Sequence, residues 1–231
     1  MKRFYKRAAV VPAAGGHGVT LDRRLVKTPG KCDLVLPSLA LAMAIAQEWE
    51  AQQAEIRRAA MPLTRLAGVT IDRSTVEREA VVRQVAHYAG TDLVCYRAAH
   101  PPALAARQQT VWQPLIEWAS ERYGAPLMVT NGVIPAAQPE TSLAAFAAAV
   151  AGYDDFSLTA LHAATAACGS LVIALALLEG RLDAGEAFAA SQLDESFQIE
   201  AWGEDAEQAQ RRAALAAEIT ATAQFRSLLL S

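Results

Sequence analysis

The sequence predicts an α+β protein: a small N-terminal β domain carrying one helix over residues 1–60, then a larger, mainly helical domain over 61–231. Three observations predict it. The first 36 residues interleave Lys and Arg with β-branched and aromatic residues and are broken by Gly-Gly and Asp-Arg-Arg, the pattern of short strands and turns. After Pro37 apolar residues recur at helical spacing. From Pro102 onward long alanine-rich stretches keep that spacing, interrupted by Gly and Asp. A chain of 231 residues with 53% hydrophobic and 19% charged residues can bury a sizeable core.

Residues 4–11 read as a strand and 12–18 as a Gly/Ala loop. Residues 19–21 and 25–27 flank Asp22-Arg23-Arg24, a candidate hairpin, and 33–36 read as a further short strand. Lys and Arg on these strands suit exposed edges. Ser38 is placed to cap a helix in which Leu41, Ile45, Glu48/Trp49 and Gln52 follow one another at helical steps. Trp49 is expected to pack between the β and helical parts. Met61-Pro62 ends that segment and starts another helix, 75–90 continues helical, and 93–96 reads as extended. The remaining helices are expected at 102–123, 140–152, 156–179, 184–202 and 204–229, with a short strand within 124–132. Gly180 and Gly203 are placed as helix stops, and Asp155 and Asp183 near helix starts.

Charge divides along the chain. Residues 1–122 carry 17 Lys+Arg against 11 Asp+Glu, and residues 123–231 carry 4 against 13. A bipolar surface of this kind serves solubility or offers an acidic half to a partner. The basic N-terminal stretch is too short, and too much placed on strands, for a nucleic-acid stripe. Cys32, Cys95 and Cys168 are odd in number and far apart, so neither a disulfide frame nor a zinc site is indicated. The start lacks an apolar signal core. Residues 156–178 carry no formal charge over a membrane-spanning length, yet Thr159, His162, Thr165, Gly169 and Ser170 favour a buried central helix over membrane insertion.

Few catalytic constellations are available. Gly15-Gly16-His17-Gly18 lacks the lysine of a phosphate loop and leads into a strand. Cys168-Gly169-Ser170 is expected mid-helix, where small residues serve close packing. His17, His87, His100 and His162 show no metal spacing. Arg65 and Arg97 are candidates to anchor carboxylates internally. No catalytic residue, metal site or cofactor is therefore expected.

The exception is the run from Asp194 to Asp205, with five carboxylates around Phe197, Ile199 and Trp202 and no basic residue. On one helix Phe188, Gln192, Glu195, Ile199 and Trp202 would share a stripe. A core stripe accounts for the apolar members but not for the polar residues threaded through it. Three readings stay open: a solvated face, a protein-binding face, and paired carboxylates acting as acid and base in a small hydrolase or transferase.

A set of motifs in fixed order narrows these readings. Leu36-Pro37-Ser38 leads to Ala46-Gln47-Glu48-Trp49, followed by Met61-Pro62-Leu63-Thr64-Arg65-Leu66-Ala67 and Asp92-Leu93-Val94-Cys95-Tyr96-Arg97. Trp112-Gln113-Pro114-Leu115, Leu158-Thr159-Ala160-Leu161-His162, Gly169-Ser170-Leu171-Val172 and Phe197-Gln198-Ile199-Glu200-Ala201-Trp202-Gly203 come later. From about residue 4 to 229 the chain resembles the assembly chaperones of the F-type ATP synthase that handle its α subunit, found in mitochondria and α-proteobacteria.

The resemblance implies a non-enzymatic protein that binds the unassembled α subunit before the catalytic hexamer forms. It implies a functional acidic residue just before the aromatic-Gln pair, which is Asp194 here. Joined to the acidic, aromatic helix it makes Asp194, Glu195, Gln198, Glu200 and Trp202 the candidate partner-binding set. A monomer is expected, in the cytoplasm if bacterial and in the mitochondrial matrix if eukaryotic. As a surface residue, Asp194 should tolerate charge reversal to Lys without loss of fold. In one departure, Asp22-Arg23-Arg24 stands where Asp-Gly-Arg is common, and Arg23 argues against a type I′ turn because L-residues resist positive φ.

Overall fold

A computed structural model describes residues 1–132 and 136–231. The chain forms two compact units. The first comprises Met1–Arg78 with Asp154–Ala160 and Ala221–Ser231, and the second comprises Glu79–Tyr153 with Leu161–Thr220. The division therefore falls after Arg78 and not at residue 60, because two later segments pack into the first unit. The charge asymmetry follows these units: the first carries 14 Lys+Arg against 9 Asp+Glu, the second 7 against 15.

In the first unit, β2 (Gly16–Leu21) pairs antiparallel with β1 (Ala8–Ala13), β3 (Arg24–Leu25) and β4 (Val35–Leu36). The expected loop at 12–18 is instead the β1–β2 hairpin. Pro12 lies opposite His17 within it, which an edge strand allows. Gly16 is required there, since a Cβ would lie 2.2 Å from the Leu36 carbonyl oxygen.

The Asp22-Arg23 turn corrects the sequence expectation. Leu21 faces Arg24 and both turn residues have positive φ, 48° and 72°, the signature of type I′. Asp22 explains why Arg23 is held there. Its carboxylate accepts from the backbone N–H of Lys6 at 3.0 Å and of Arg7 at 3.0 Å, and its own N–H donates to the Arg7 carbonyl. Those N–H groups hold the Asp22 carboxyl below its ordinary range.

Helix α1 (Leu39–Glu50) starts at Ser38, whose hydroxyl accepts from the Leu41 N–H at 3.1 Å and donates to the Leu228 carbonyl. It buries Leu41, Ala42 and Ile45. Near its end Glu48 accepts from the N–H groups of Leu63 and Thr64, each at 2.8 Å, and from the Thr64 hydroxyl at 2.7 Å. One α1 carboxylate thus satisfies the orphan donors that open α2 (Pro62–Val69), where Pro62 needs no N–H partner. A π-helical turn, Thr70–Ser74, follows. Its Thr70 hydroxyl donates to that of Thr159, which donates to Ser74. Phe156 stacks on Phe225 at 6.3 Å to close this unit's core.

The second unit begins in α3 (Arg78–His87) and is mostly helical: α4 (Pro102–Tyr123), α5 (Glu140–Ala151), α6 (Asp155–Cys168), α7 (Leu171–Leu178), α8 (Ala184–Ser191), α9 (Leu193–Trp202) and α10 (Ala206–Leu229). The first turns of α6 and the last of α10 belong to the first unit. Parallel pairing of β5 (Tyr96–Arg97) with β6 (Thr130–Asn131) supplies the strand expected within 124–132.

Two expected helices are broken. At the first break Gly169 takes φ 63°, and the Ser170 hydroxyl accepts from the Ile173 N–H at 3.0 Å. Cys168-Gly169-Ser170 is thus a helix junction and not a mid-helix stripe. Every residue of α7 is buried, and among the described residues no helix is long and apolar enough to cross a membrane. The second break is at Gln192, between α8 and α9. Asp183 opens α8 with a reciprocal capping box to Glu186.

Asp92 fastens α7. It is fully buried and accepts from the N–H groups of Val94 at 3.2 Å and Val172 at 3.0 Å, with Ser170 and Leu171 also in contact. Burial pushes its carboxyl up to about 6 from an ordinary 3.8, against the pull of those donors. The folded state therefore holds the Asp92 proton more tightly than the unfolded chain does. That contribution is fully present below pH 3.8 and is lost as pH rises through about 6.

Two measurements check these assignments. Replacing Arg23 by Gly should stabilise the protein by about 0.5–1 kcal/mol in urea unfolding, because the left-handed turn then costs no side-chain strain. The stability advantage of wild type over Asp92→Asn should shrink by about 2 kcal/mol between about pH 4 and about pH 7. A difference independent of pH would show that Asp92 does not titrate in this window.

Candidate acidic–aromatic interaction face

Helix α9 is short and sparsely anchored. Leu193 is its only fully buried residue, and Phe197 and Ile199 are half-buried. Asp194 and Glu195 sit in its first turn, where the helix dipole favours negative charge. It ends at Gly203 with φ 84°, as the sequence placed it. The break at Gln192 means the stripe from Phe188 to Trp202 does not run along one helix.

The five candidate residues separate into three groups. Glu195, Gln198 and Trp202 recur at steps of three and four and so share one side of α9. Trp202 is 82% exposed, so the core role open to it in the sequence does not hold. The exposed stretch continues unbroken from Glu200 to Glu207.

Asp194 faces inward. It is half-buried and accepts from the Gln108 side-chain amide at 2.7 Å. Burial raises its carboxyl above the ordinary range, the Gln108 bond opposes this, Glu195 adds to it, and Arg97 opposes it. Arg97, 6% exposed, donates to the Gln108 carbonyl at 2.6 Å and lies 5.2 Å from the Trp112 ring centroid. Among the described residues its Nε and Nη2 have no hydrogen-bond partner. Trp112 is fully buried and its indole N–H donates to the Ala190 carbonyl at 2.8 Å. Arg97 lies close enough to Asp194 for its charge to favour the ionised carboxylate. Charge reversal at Asp194 would remove the acceptor of the Gln108 amide and set an ammonium near Arg97.

Glu200 is occupied differently. Arg107 grips it with two bonds, Nη1 to Oε1 at 2.6 Å and Nη2 to Oε2 at 2.9 Å, while its guanidinium covers the Phe197 ring at 5.2 Å. Arg107 holds the Glu200 carboxyl below its usual range. Arg212 pairs with Glu204 at 3.1 Å, donates to the Ser196 hydroxyl at 3.1 Å, and covers Phe188 at 5.2 Å. The run that contains no basic residue in sequence is therefore met by three arginines from elsewhere in the chain.

Catalysis by this run fits poorly. Asp194 and Glu200 are engaged with different partners. The cavity beside α9, about 400 Å³, is lined by Leu115, Leu182, Ala190 and Leu193 with Glu186 as its one carboxylate and none from the run. Among the described residues no cluster of His, Cys, Asp and Glu is arranged to hold a metal ion.

Sequence reasoning missed Arg107, Gln108 and Arg212. Gln108 carried a legible signal, since it lies on the buried stripe of Leu104, Trp112 and Leu115 at steps of four, four and three. A Gln on a core stripe requires a buried partner. Arg107 and Arg212 offered none, because their partners are remote in sequence or in another helix.

The exposure contrast predicts opposite outcomes for two tryptophans. Trp202→Ala should change unfolding stability by about 0.5 kcal/mol or less. Trp112→Ala should cost about 3–5 kcal/mol, through the cavity and the lost cover over Arg97. Equal costs in chemical denaturation would refute the placement of Trp202.

The family described as "ATP12 chaperone protein" matches residues 2–120. Protein atp12, mitochondrial, of Schizosaccharomyces pombe is 26% identical over 214 residues, covering 87% of this chain and 74% of that protein. The crystal structure of Atp12 from Paracoccus denitrificans is 43% identical, with 99% of this chain and 98% of that chain covered and a TM-score of 0.94. An Asp→Lys variant of the same organism's Atp12p superposes with the same TM-score. This is a chaperone family and not an enzyme family, which removes the hydrolase or transferase alternative. The chain belongs to the ATP12 chaperone family, the ATP synthase assembly chaperones that its motifs resemble.

Proposed function

We propose that this chaperone binds the unassembled α subunit of the F-type ATP synthase and hands it on to the catalytic hexamer, using the face of Glu195, Gln198 and Trp202. Glu200 borders that face, and Asp194 holds α9 in position from behind. The exposed Trp202 is the observation that carries the reading. A Trp that is 82% exposed leaves a large ring in water within an exposed acidic stretch, and buried Trp is among the residues that dominate binding energy at interfaces. An α subunit without its neighbours exposes surface meant for them, and uncovered apolar surface invites wrong association. The work takes place where the α subunit is available, the cytoplasm in a bacterium and the matrix in a mitochondrion.

Co-purification with α and β subunits expressed separately tests this. Wild type should retain α and not β. Trp202→Ala should reduce α capture by about tenfold or more with its melting point unchanged. Asp194→Asn keeps an acceptor for Gln108 and removes the charge, so it should weaken capture less than Trp202→Ala does. Undiminished α capture by a folded Trp202→Ala protein would place the grip elsewhere.

A further inference from the structure

A second cavity, about 600 Å³, lies wholly within the first unit. It belongs to neither α9 nor its partners. Its apolar lining comes from Val26, Leu34, Trp49, Ile56 and Met61. The volume falls in the range of pockets that hold ligands, and a flexible methionine such as Met61 lets a lining adapt to varied occupants.

The charged residues lining it are mostly cationic. Lys27, Arg58, Arg65 and Arg73 line the cavity against one acid, Asp72. Asp72 is already committed: its Oδ1 accepts from the Thr28 hydroxyl at 2.5 Å and its Oδ2 from the Gly30 N–H at 2.7 Å. Lys27 pairs with Asp33 and Arg73 with Glu77, both as exposed surface pairs, and such pairs yield readily to a better partner. Arg65 stands near Glu48. Arg58 is exposed and makes no ion pair among the described residues.

One further feature marks this cavity as a built site. The π-helical turn Thr70–Ser74 contributes Asp72 and Arg73 to the wall, and such turns recur at functional sites.

We infer that this cavity is a second client site, which takes an extended polypeptide segment in which apolar side chains alternate with carboxylates. The apolar lining receives the side chains and the cations meet the carboxylates. The choice of a polypeptide rests on the chaperone reading above. The charge complementarity does not.

Gly68 provides a clean probe. It lines the cavity from α2, and a Cβ added there meets only the Pro29 Cδ at 3.7 Å, an ordinary contact. Gly68→Ala is therefore accommodated, whereas Gly68→Leu extends into the space. The test is fluorescence anisotropy of a labelled, acetylated and amidated peptide alternating Leu and Glu, titrated with the full chain. Wild type, Gly68→Ala and Trp202→Ala should bind it alike. Gly68→Leu and Arg58→Glu should each weaken it by about tenfold, and a peptide alternating Leu and Lys should not bind. If Gly68→Leu lowers the melting point, the surface variant Arg58→Glu decides. The inference is overturned if wild type does not bind the Leu/Glu peptide, if the Leu/Lys peptide binds as well, or if neither variant weakens binding. Binding of dodecanoate without the peptide also overturns it, in favour of a lipid site. Full peptide binding by Trp202→Ala together with lost α capture separates this site from the α9 face, so either can fail alone.

Discussion

The buried carboxylate of Asp92 sets the position of everything that leads to α9. It accepts from the N–H of Val172 at the start of α7, the one helix with every residue buried, and from Val94 in its own loop. That loop continues into β5 and delivers Arg97 beneath Trp112. Arg97 holds the Gln108 carbonyl, and the Gln108 side chain holds Asp194. The acidic helix is thus registered against the core through a relay of polar groups, each with a fixed partner. A buried acid costs stability unless its lone pairs are filled, and here backbone donors at the helix start fill them. The same donors are orphans that α7 must satisfy somehow, so one residue answers both requirements.

The fold class was legible because period and punctuation agreed. Ser38, Pro62, Asp183, Gly180 and Gly203 each mark a boundary by its own backbone chemistry, and each lies at or beside one. The misread junctions share a cause. Gly169 and Gln192 interrupt runs whose apolar content continues on both sides, so periodicity alone carries the reader across them. The β1–β2 hairpin was hidden by Pro12, which reads as a loop residue until the strand is known to be an edge. Arg23 was misjudged because the turn is held from outside, by the Lys6 and Arg7 N–H groups donating to Asp22.

The acidic run shows the limit of linear reading most clearly. Its five carboxylates look uncompensated in sequence. In three dimensions Arg107 takes Glu200, Arg212 takes Glu204, and Arg97 stands near Asp194. The first two also lie over Phe197 and Phe188, so the same side chains neutralise charge and roof half-buried rings. The face proposed for a partner is therefore narrower than the run: Glu195, Gln198 and Trp202 on one side of a helix. Because the surface pairs are worth little in folding stability, their role is better understood as fixing which atoms of α9 stay available.

A chaperone of this kind must hold its client firmly enough to prevent wrong contacts and release it when the right neighbours arrive. An interface built on one exposed aromatic within an acidic rim suits both demands. On the proposed face the ring would contribute apolar area without conformational adjustment of the core, since Trp202 stands at the helix end and outside the packed interior. The rim would add charge attraction to a basic partner, which speeds encounter and weakens with distance and salt. On this proposal neither element would need nucleotide chemistry or a moving domain to let go. Competition by a larger, more apolar subunit interface would suffice, because assembly interfaces of permanent complexes bury more surface than a transient grip.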